Sequence, residues 1–349
     1  MTDVEFAGRR VGPGHPCFLI AEAGVNHNGD PALAEKLVDA AKEAGADAVK
    51  FQTWRTEKLV LPEAPLATYQ ERRIGPGKSQ FQMLKELELR PEDFKRLKAQ
   101  ADRKGILFFS TPDEEESADF LDMLGVPIFK IGSGEATNLP YLRHVARKGK
   151  PVILSTGMCS LEEVKAAVSA IRDSGCDRLI LLHCVSSYPA PPEDCNLRAM
   201  DTLAAAFGCP VGFSDHTMGF SVAVAAAALG ACVIEKHLTL DKGMPGPDHS
   251  ASLDPREFAE MAAAVRIVEA ALGDGVKRLM ASEIDAARTV RKVAVVVRAI
   301  GSGQPLVPAD VVMLRAAGGI LPSVLPSFFG RRAARDIPAG SILTDDLLQ

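Results

Sequence analysis

Several common functional handles are missing from this sequence. Its formal net charge is −5, and no basic run offsets that charge, which argues against a nucleic-acid partner. Any anion site must therefore be a local gathering of cations. The seven cysteines (Cys17, Cys159, Cys176, Cys184, Cys195, Cys209 and Cys232) show no CxxC spacing and are odd in number. That is the pattern of reduced thiols in a cytoplasmic protein, not of a disulfide frame. The opening MTDVEFAGRRVGPG lacks the apolar core of a signal peptide. The most apolar stretch, 221–234, is broken by Gly230 and is too short to cross a bilayer, so no membrane partner is expected. No GxGxxG follows the first apolar run, which removes the main argument for a dinucleotide fold.

What remains is a chain of 349 residues with 47% apolar content and mixed charge, long enough for one large domain and a small one. Eight short β-branched or aromatic runs predict strands at 17–24, 47–53, 106–112, 128–134, 151–157, 179–185, 211–217 and 232–240. Between them lie helical patterns. Asp30 caps a helix with Pro31 at its first position, Ser160 and Glu163 form a capping box, 223–229 covers another crossover, and Asp254-Pro255 opens the last. Strands apolar nearly throughout, each followed by a helix, predict parallel strands buried on both faces. Eight such units in roughly 250 residues fit an α/β fold of the closed (β/α)₈ TIM-barrel type.

One connection is long. Residues 54–90 contain Pro62, Pro65, Gly75, Pro76 and Gly77, and a loop of that length in a compact domain reads as a functional wall or lid. The barrel is expected to span 1–273, a helical linker 274–290 and a small β-rich module 291–349. The module carries an internal repeat, Ile300-x-x-Gly303-x-x-Leu306 and Ile337-x-x-Gly340-x-x-Leu343.

Working groups of such barrels sit at the carboxyl ends of the strands. Here every strand ends in polar or ionisable groups: Glu22; Lys50 and Gln52; Ser110 and Thr111; Lys130, Ser133 and Glu135; Ser155 and Thr156; His183; Ser214, Asp215 and His216; Glu235, Lys236 and His237. Buried charges are costly unless paired or liganded, so a plain core would not collect them.

Strand alternation puts Lys50 with Gln52, Ser214 with His216 and Glu235 with His237 on shared faces. Neighbouring strands lie about 4.8 Å apart, so His216 and His237 can reach one divalent cation, Mn²⁺ or Mg²⁺, with positions left for water and a substrate oxygen. The alternative for either histidine alone is a hydrogen-bonded core residue. Lys50 and Lys130, with Ser110, Thr111, Ser133, Ser155 and Ser214, read as a cradle for a phosphate or carboxylate. The glycine loops at 132–134 and 156–158 let backbone amides approach the same anion. Glu22, Glu135 and Asp248 are the acid–base candidates, and a carboxylate beside two lysines and a cation should be ionised. Met123, Met158 and Met261 read as packing.

The runs AEAGVNHNGD (21–30), VKFQT (49–53), FSTP (109–112), FKIGSGE (129–135), LSTGM (154–158), SDHT (214–217), IEKH (234–237) and PGPDH (245–249) together resemble the sialic acid synthase family. The tail GRRAARDIPAG (330–340) is similar to that family's antifreeze-like (SAF) domain. The resemblance implies condensation of phosphoenolpyruvate with an N-acylated mannosamine-type sugar and water, giving a nonulosonic acid and phosphate. It assigns Lys50, Thr111, Lys130, Ser133, Ser155, Ser186 and Ser214 to phosphoenolpyruvate, and Gln52, Glu135, Tyr188 and Asp248 to the sugar. Glu22 lies near the attacking water, and the metal falls to His216 and His237.

The resemblance further implies a domain-swapped homodimer in which Arg315 of the partner chain meets the sugar. RAAGGILP (315–322) departs from the family by lacking the proline after that arginine. VSSYP (185–189) and SQFQMLKELEL (79–89) look closer to the legionaminic branch, whose sugar is a diacetamido-trideoxy mannose. Two other readings compete. A lysine Schiff-base aldolase on the same barrel would use Lys130 as imine former. A non-catalytic carbohydrate-binding protein would not need to keep the two lysines and two histidines.

Overall fold

The computed structural model describes residues 3–349 apart from 68, 69, 72 and 74–76. Gly75 and Pro76, singled out in the long connection, lie outside the described residues. The chain forms two compact units, Met1–Gly273 and Asp274–Gln349.

An antiparallel hairpin, β1 (Val4–Phe6) and β2 (Arg9–Val11), opens the first unit. It escaped the sequence reading because three-residue strands carry almost no periodicity. Phe6 packs edge-on against Phe18, centroids 5.4 Å apart, at the amino end of the next strand. Eight parallel strands follow: β3 (Phe18–Gly24), β4 (Ala48–Thr53), β5 (Leu107–Pro112), β6 (Phe129–Ile131), β7 (Val152–Ser155), β8 (Leu179–Cys184), β9 (Val211–Asp215) and β10 (Val233–His237). Their hydrogen-bonded order is β5-β4-β3-β10-β9-β8-β7-β6. β5 and β6 close the ring side by side without a ladder. This is the expected barrel. Its strands are buried almost throughout because helices cover the outer face.

Local signals set the helices as read. Asp30 accepts from the Ala32 amide at the head of Pro31–Glu43, and Ser160 and Glu163 cap Leu161–Arg172 reciprocally. Asp254 and Glu257 do the same for Pro255–Leu272. The long connection contains helices Thr56–Leu59 and Gln80–Leu87. Trp54, Met83 and Leu87 form a separate small core there with Val25 from the loop after β3, so the described part is a packed wall. Met261 is buried as expected, but Met123 and Met158 are 82% and 72% exposed and stay outside the core.

In the second unit only Ile284–Val290 is α-helical. The expected longer linker helix is absent from Val276–Met280 because those residues are exposed, and a short helix with no face to bury is marginal. β11 (Lys292–Val296) pairs antiparallel with β12 (Val311–Arg315). The two repeats meet each other: Ile300 and Ile337 exchange backbone hydrogen bonds of 2.9 and 2.8 Å. Leu306 and Leu343 are both fully buried. Among the described residues no helix is long and apolar enough to cross a membrane.

Candidate active site

The carboxyl ends of the barrel strands gather the predicted groups. Lys50 rises from β4 and donates to Thr111 Oγ1 at 2.8 Å, with Glu22 Oε2 of β3 at 2.7 Å. Lys130, from β6 two strands along the ring, donates to Ser155 Oγ at 2.7 Å. Between the two ammonium groups stands Glu235 of β10, 3.8 Å from Lys50 Nζ and 3.7 Å from Lys130 Nζ. Ser214 Oγ donates to it at 3.0 Å. All of these side chains are buried. Glu235 was visible as a strand-end acid sharing a face with His237, but nothing local marks it as the hub of both lysines.

Burial works against every charge here, and the pairs decide the outcome. Burial would raise Glu235, yet Lys130 and Lys50 bring it down to about 2, so it is a fixed anion. Burial pushes Glu22 up to about 7 and outweighs the opposing Lys50 ammonium. Without a divalent cation beside it, Glu22 can both take and give a proton near neutrality. Lys130 is lowered by burial, only partly offset by Glu235. Lys50 is raised because Glu22 and Glu235 overcome its burial.

Near Lys130, polar side chains crowd against Gly157. Ser133 Oγ accepts from the Gly157 amide at 3.0 Å and contacts Cys184 Sγ at 3.2 Å. A Cβ on Gly157 would stand 2.4 Å from Ser186 Oγ, 2.9 Å from Cys184 Sγ and 2.9 Å from Ser133 Oγ. Only glycine lets the chain pass this close to those three side chains. Thr156 is not one of them, since its hydroxyl donates to the Leu182 carbonyl. Ser110 also drops out of the predicted cradle: alternation turns it away from Thr111, and it bonds Thr53 Oγ1 at 2.7 Å. His183 turns outward too, to the Cys195 carbonyl at 2.7 Å.

His216 and His237 do converge, with ring centroids 5.6 Å apart. Tyr188 stacks on His216 at 4.2 Å and meets His237 edge-on at 5.8 Å. His216 Nδ1 must donate to the Val185 carbonyl, 2.7 Å away, which leaves Nε2 as a free acceptor. Burial lowers both histidines, and the neutral imidazole is the ligating form. His237 Nδ1 is buried without a hydrogen-bond partner, 3.9 Å from Asp248 Oδ2. A side chain at Gly24, whose φ is +51°, would sit 3.5 Å from that ring and 3.3 Å from Glu22 Oε1, so glycine keeps the gap between them open. Among the described residues no group of three or more His, Cys, Asp or Glu is placed to hold a metal. The residues fit a cation held by two imidazoles with oxygens from water and substrate completing it.

Gln52 donates to Glu22 Oε1 at 3.0 Å, Glu135 accepts from Asn138 at 2.7 Å, and burial pushes Asp248 up to about 6. Asp113, which sequence reasoning missed, follows β5 and faces Lys50 and Glu135. Burial raises it to about 7. Its only sequence signal was its place directly after FSTP. Arg315 is carried by the second unit, exposed at the end of β12.

A (β/α)₈ barrel with two buried lysines sharing one carboxylate, and an imidazole pair beside them at the strands' carboxyl ends, is the frame of an enzyme. The NeuB family matches residues 37–277 and the SAF domain residues 291–349. The N,N'-diacetyllegionaminic acid synthase of Legionella pneumophila is 47% identical over 331 residues, 94% of this chain and 93% of that protein. The N-acetylneuraminate-9-phosphate synthase of Mus musculus is 41% identical over 278 residues, 79% of this chain and 77% of that one. The crystal structure of the N-acetylneuraminic acid synthetase of Leptospira borgpetersenii, in complex with citrate, superposes with a TM-score of 0.72. It is 36% identical and covers 82% of this chain and 95% of its own. The chain belongs to the NeuB, or sialic acid synthase, family and carries a carboxyl-terminal SAF domain.

Proposed function

We propose that this enzyme joins phosphoenolpyruvate to the open-chain form of an N-acylated mannosamine-type sugar, with water, releasing a nonulosonic acid and phosphate. The observation that carries the reading is the buried Lys50–Glu235–Lys130 array with the hydroxyls of Thr111, Ser155 and Ser214 bonded to it. It offers two cations and several hydroxyls to a ligand bearing both a carboxylate and a phosphate. Lys50 with Thr111, and Lys130 with Ser133, Ser155, Ser186 and Ser214, hold the two ends of phosphoenolpyruvate. Carbon 3 then bonds to the sugar's aldehyde carbon, water adds at carbon 2, and the carbon–oxygen bond to phosphate breaks. Glu22, with its carboxyl near 7, takes the proton of that water.

Gln52, Glu135, Tyr188 and Asp248 hold and orient the sugar, and Arg315 of a partner chain covers it in a domain-swapped dimer. A divalent cation, Mn²⁺ or Mg²⁺, bound by His216 and His237, supplies Lewis-acid polarisation of the aldehyde. The barrel catalyses in 1–273, the linker is 274–290 and the covering module 291–349. With all seven thiols free, we place the enzyme in the cytoplasm. The legionaminic branch is the preferred substrate class, a 2,4-diacetamido-2,4,6-trideoxy mannose. It rests on VSSYP and SQFQMLKELEL together with the similarity to the Legionella synthase.

The test incubates purified protein with phosphoenolpyruvate and a panel of N-acyl mannosamines, with and without a 6-phosphate. Phosphate release and product mass are followed. Release should require both sugar and divalent metal, and should cease in EDTA and in His237→Ala. Turnover in EDTA sinks the metal part. An imine trapped by borohydride with pyruvate, without phosphate release, would favour the lysine aldolase instead.

A further inference from the structure

Behind the histidine pair, on the outer face of the same two strands, lies an ion pair that the proposed chemistry does not use. Ser214 and His216 point into the barrel, as do Glu235 and His237, so alternation sends Asp215 and Lys236 outward. Asp215 is 0% and Lys236 1% exposed, with Nζ 2.9 Å from Oδ2. Lys236 Nζ also donates to the Thr217 carbonyl at 2.6 Å, and the Thr217 amide donates to Asp215 Oδ1 at 2.8 Å. The residue after His216 is thus gripped at both its N–H and its C=O. From the other side, the His216 carbonyl accepts from the Ala190 amide at 2.9 Å, and its ring is tied to Val185.

The backbone ladder shows why such a device is needed. Between β9 and β10 the last register partners are Lys236 and Asp215. His216 and His237 lie one residue beyond, where hydrogen bonding between these two strands no longer sets their relative position. Buried ion pairs seldom exist for stability, since apolar residues of similar volume often serve as well or better.

We propose that Asp215 and Lys236 are positioning residues that fix His216 relative to His237, so that the two rings present a preformed site to a divalent cation. The proposal rests on the reading of these histidines as metal ligands. SDHT and EKH are then two halves of one device: each motif brings a ligand on the inner face and, one residue earlier, half of the clamp on the outer face.

The experiment measures Mn²⁺ binding to full-length, metal-stripped protein by electron paramagnetic resonance, alongside thermal melting. The variants are His237→Ala, Asp215→Asn, Lys236→Met and the double Asp215→Asn/Lys236→Met. In the double variant no buried charge is left unpaired and the asparagine still accepts from Thr217. It should therefore melt near the wild type yet bind Mn²⁺ about 10- to 100-fold more weakly, the usual loss when a ligand's support is removed. Asp215→Asn alone keeps the side chain's size but leaves the buried Lys236 without its counter-charge; it should also weaken binding, read below its own, lowered melting temperature, which gives a reading even if the double variant folds poorly. Wild-type affinity in Asp215→Asn or in a normally melting double variant, with loss in His237→Ala, would overturn the clamp alone. Unchanged affinity in His237→Ala, or no Mn²⁺ binding by the wild type, would overturn the histidine assignment and the clamp with it.

Discussion

Inner and outer faces of the barrel's last strands both carry buried charge, but they are built in opposite ways. Outward, Asp215 and Lys236 form a closed set within 2.6–2.9 Å, with the Thr217 peptide completing it. Inward, Glu235 stands 3.7 and 3.8 Å from two lysines, and Glu235 Oε2 and His237 Nδ1 have no hydrogen-bond partner. Satisfied buried polar groups hold a structure in one arrangement, whereas half-satisfied ones are costly and await a partner. The charges of the outer pair are fully partnered, though the Thr217 hydroxyl is not; the inner set is prepared for a ligand.

The sharpest way to test that contrast is to remove one lysine from each face. Lys130→Met should cut phosphate release by about 10²- to 10³-fold or more, the scale of losing one preorganised electrostatic contact, with little change in melting temperature. Lys236→Met should instead destabilise the fold by about 3–5 kcal/mol, because Asp215 is left buried without a counter-charge. Equal melting losses in the two variants would erase the distinction.

Ligand binding should fill the inner set only. Phosphoenolpyruvate at 100 times its dissociation constant should stabilise the protein by about 2.7 kcal/mol, read as a raised melting temperature. Gly157→Ala, whose Cβ would meet Ser186 Oγ at 2.4 Å, should abolish that rise, measured against the variant's own ligand-free melting temperature, which overpacking lowers. An undiminished rise in Gly157→Ala would move the anion elsewhere.

A subtler difference concerns pH. Glu22 is raised from about 4.5 to about 7 by burial, against the pull of Lys50. Its protonated form is thus favoured in the folded state, and the stability it contributes is complete below about 4.5 and lost as pH rises through 7. Glu22→Gln removes that loss, so its melting temperature should gain on the wild type between pH 5 and 8 while activity falls. A constant offset across that range would place Glu22 in an ordinary solvated setting. The smallest effect is expected for Arg315→Ala, which should mainly raise the sugar KM; an unchanged KM removes Arg315 from the sugar site.

Much of this was legible in the residues. Caps at Asp30, Ser160 and Asp254 act within one helical turn, and the strand runs declare themselves by composition, so both were read correctly. The inward set followed from period-two alternation, which placed Lys50 with Gln52 and Glu235 with His237. Errors arose where alternation was not applied strictly, as at Ser110, or where no local pattern exists, as at Asp113 and the hairpin Val4–Val11. Met123 and Met158 misled because residue type alone does not say which side of a helix or loop is covered.

By itself, then, the chain's order of residues settled that eight strands alternate with helices and which side chains share a strand face, since both follow from backbone geometry a few residues long. Only closure of the barrel decided that Glu235 of β10 stands between lysines from β4 and β6, and that Asp215 locks Lys236 behind the two imidazoles. Those partners are 21 to 185 residues apart along the chain, and their distances depend on how the strands stagger around the ring, which no local periodicity encodes.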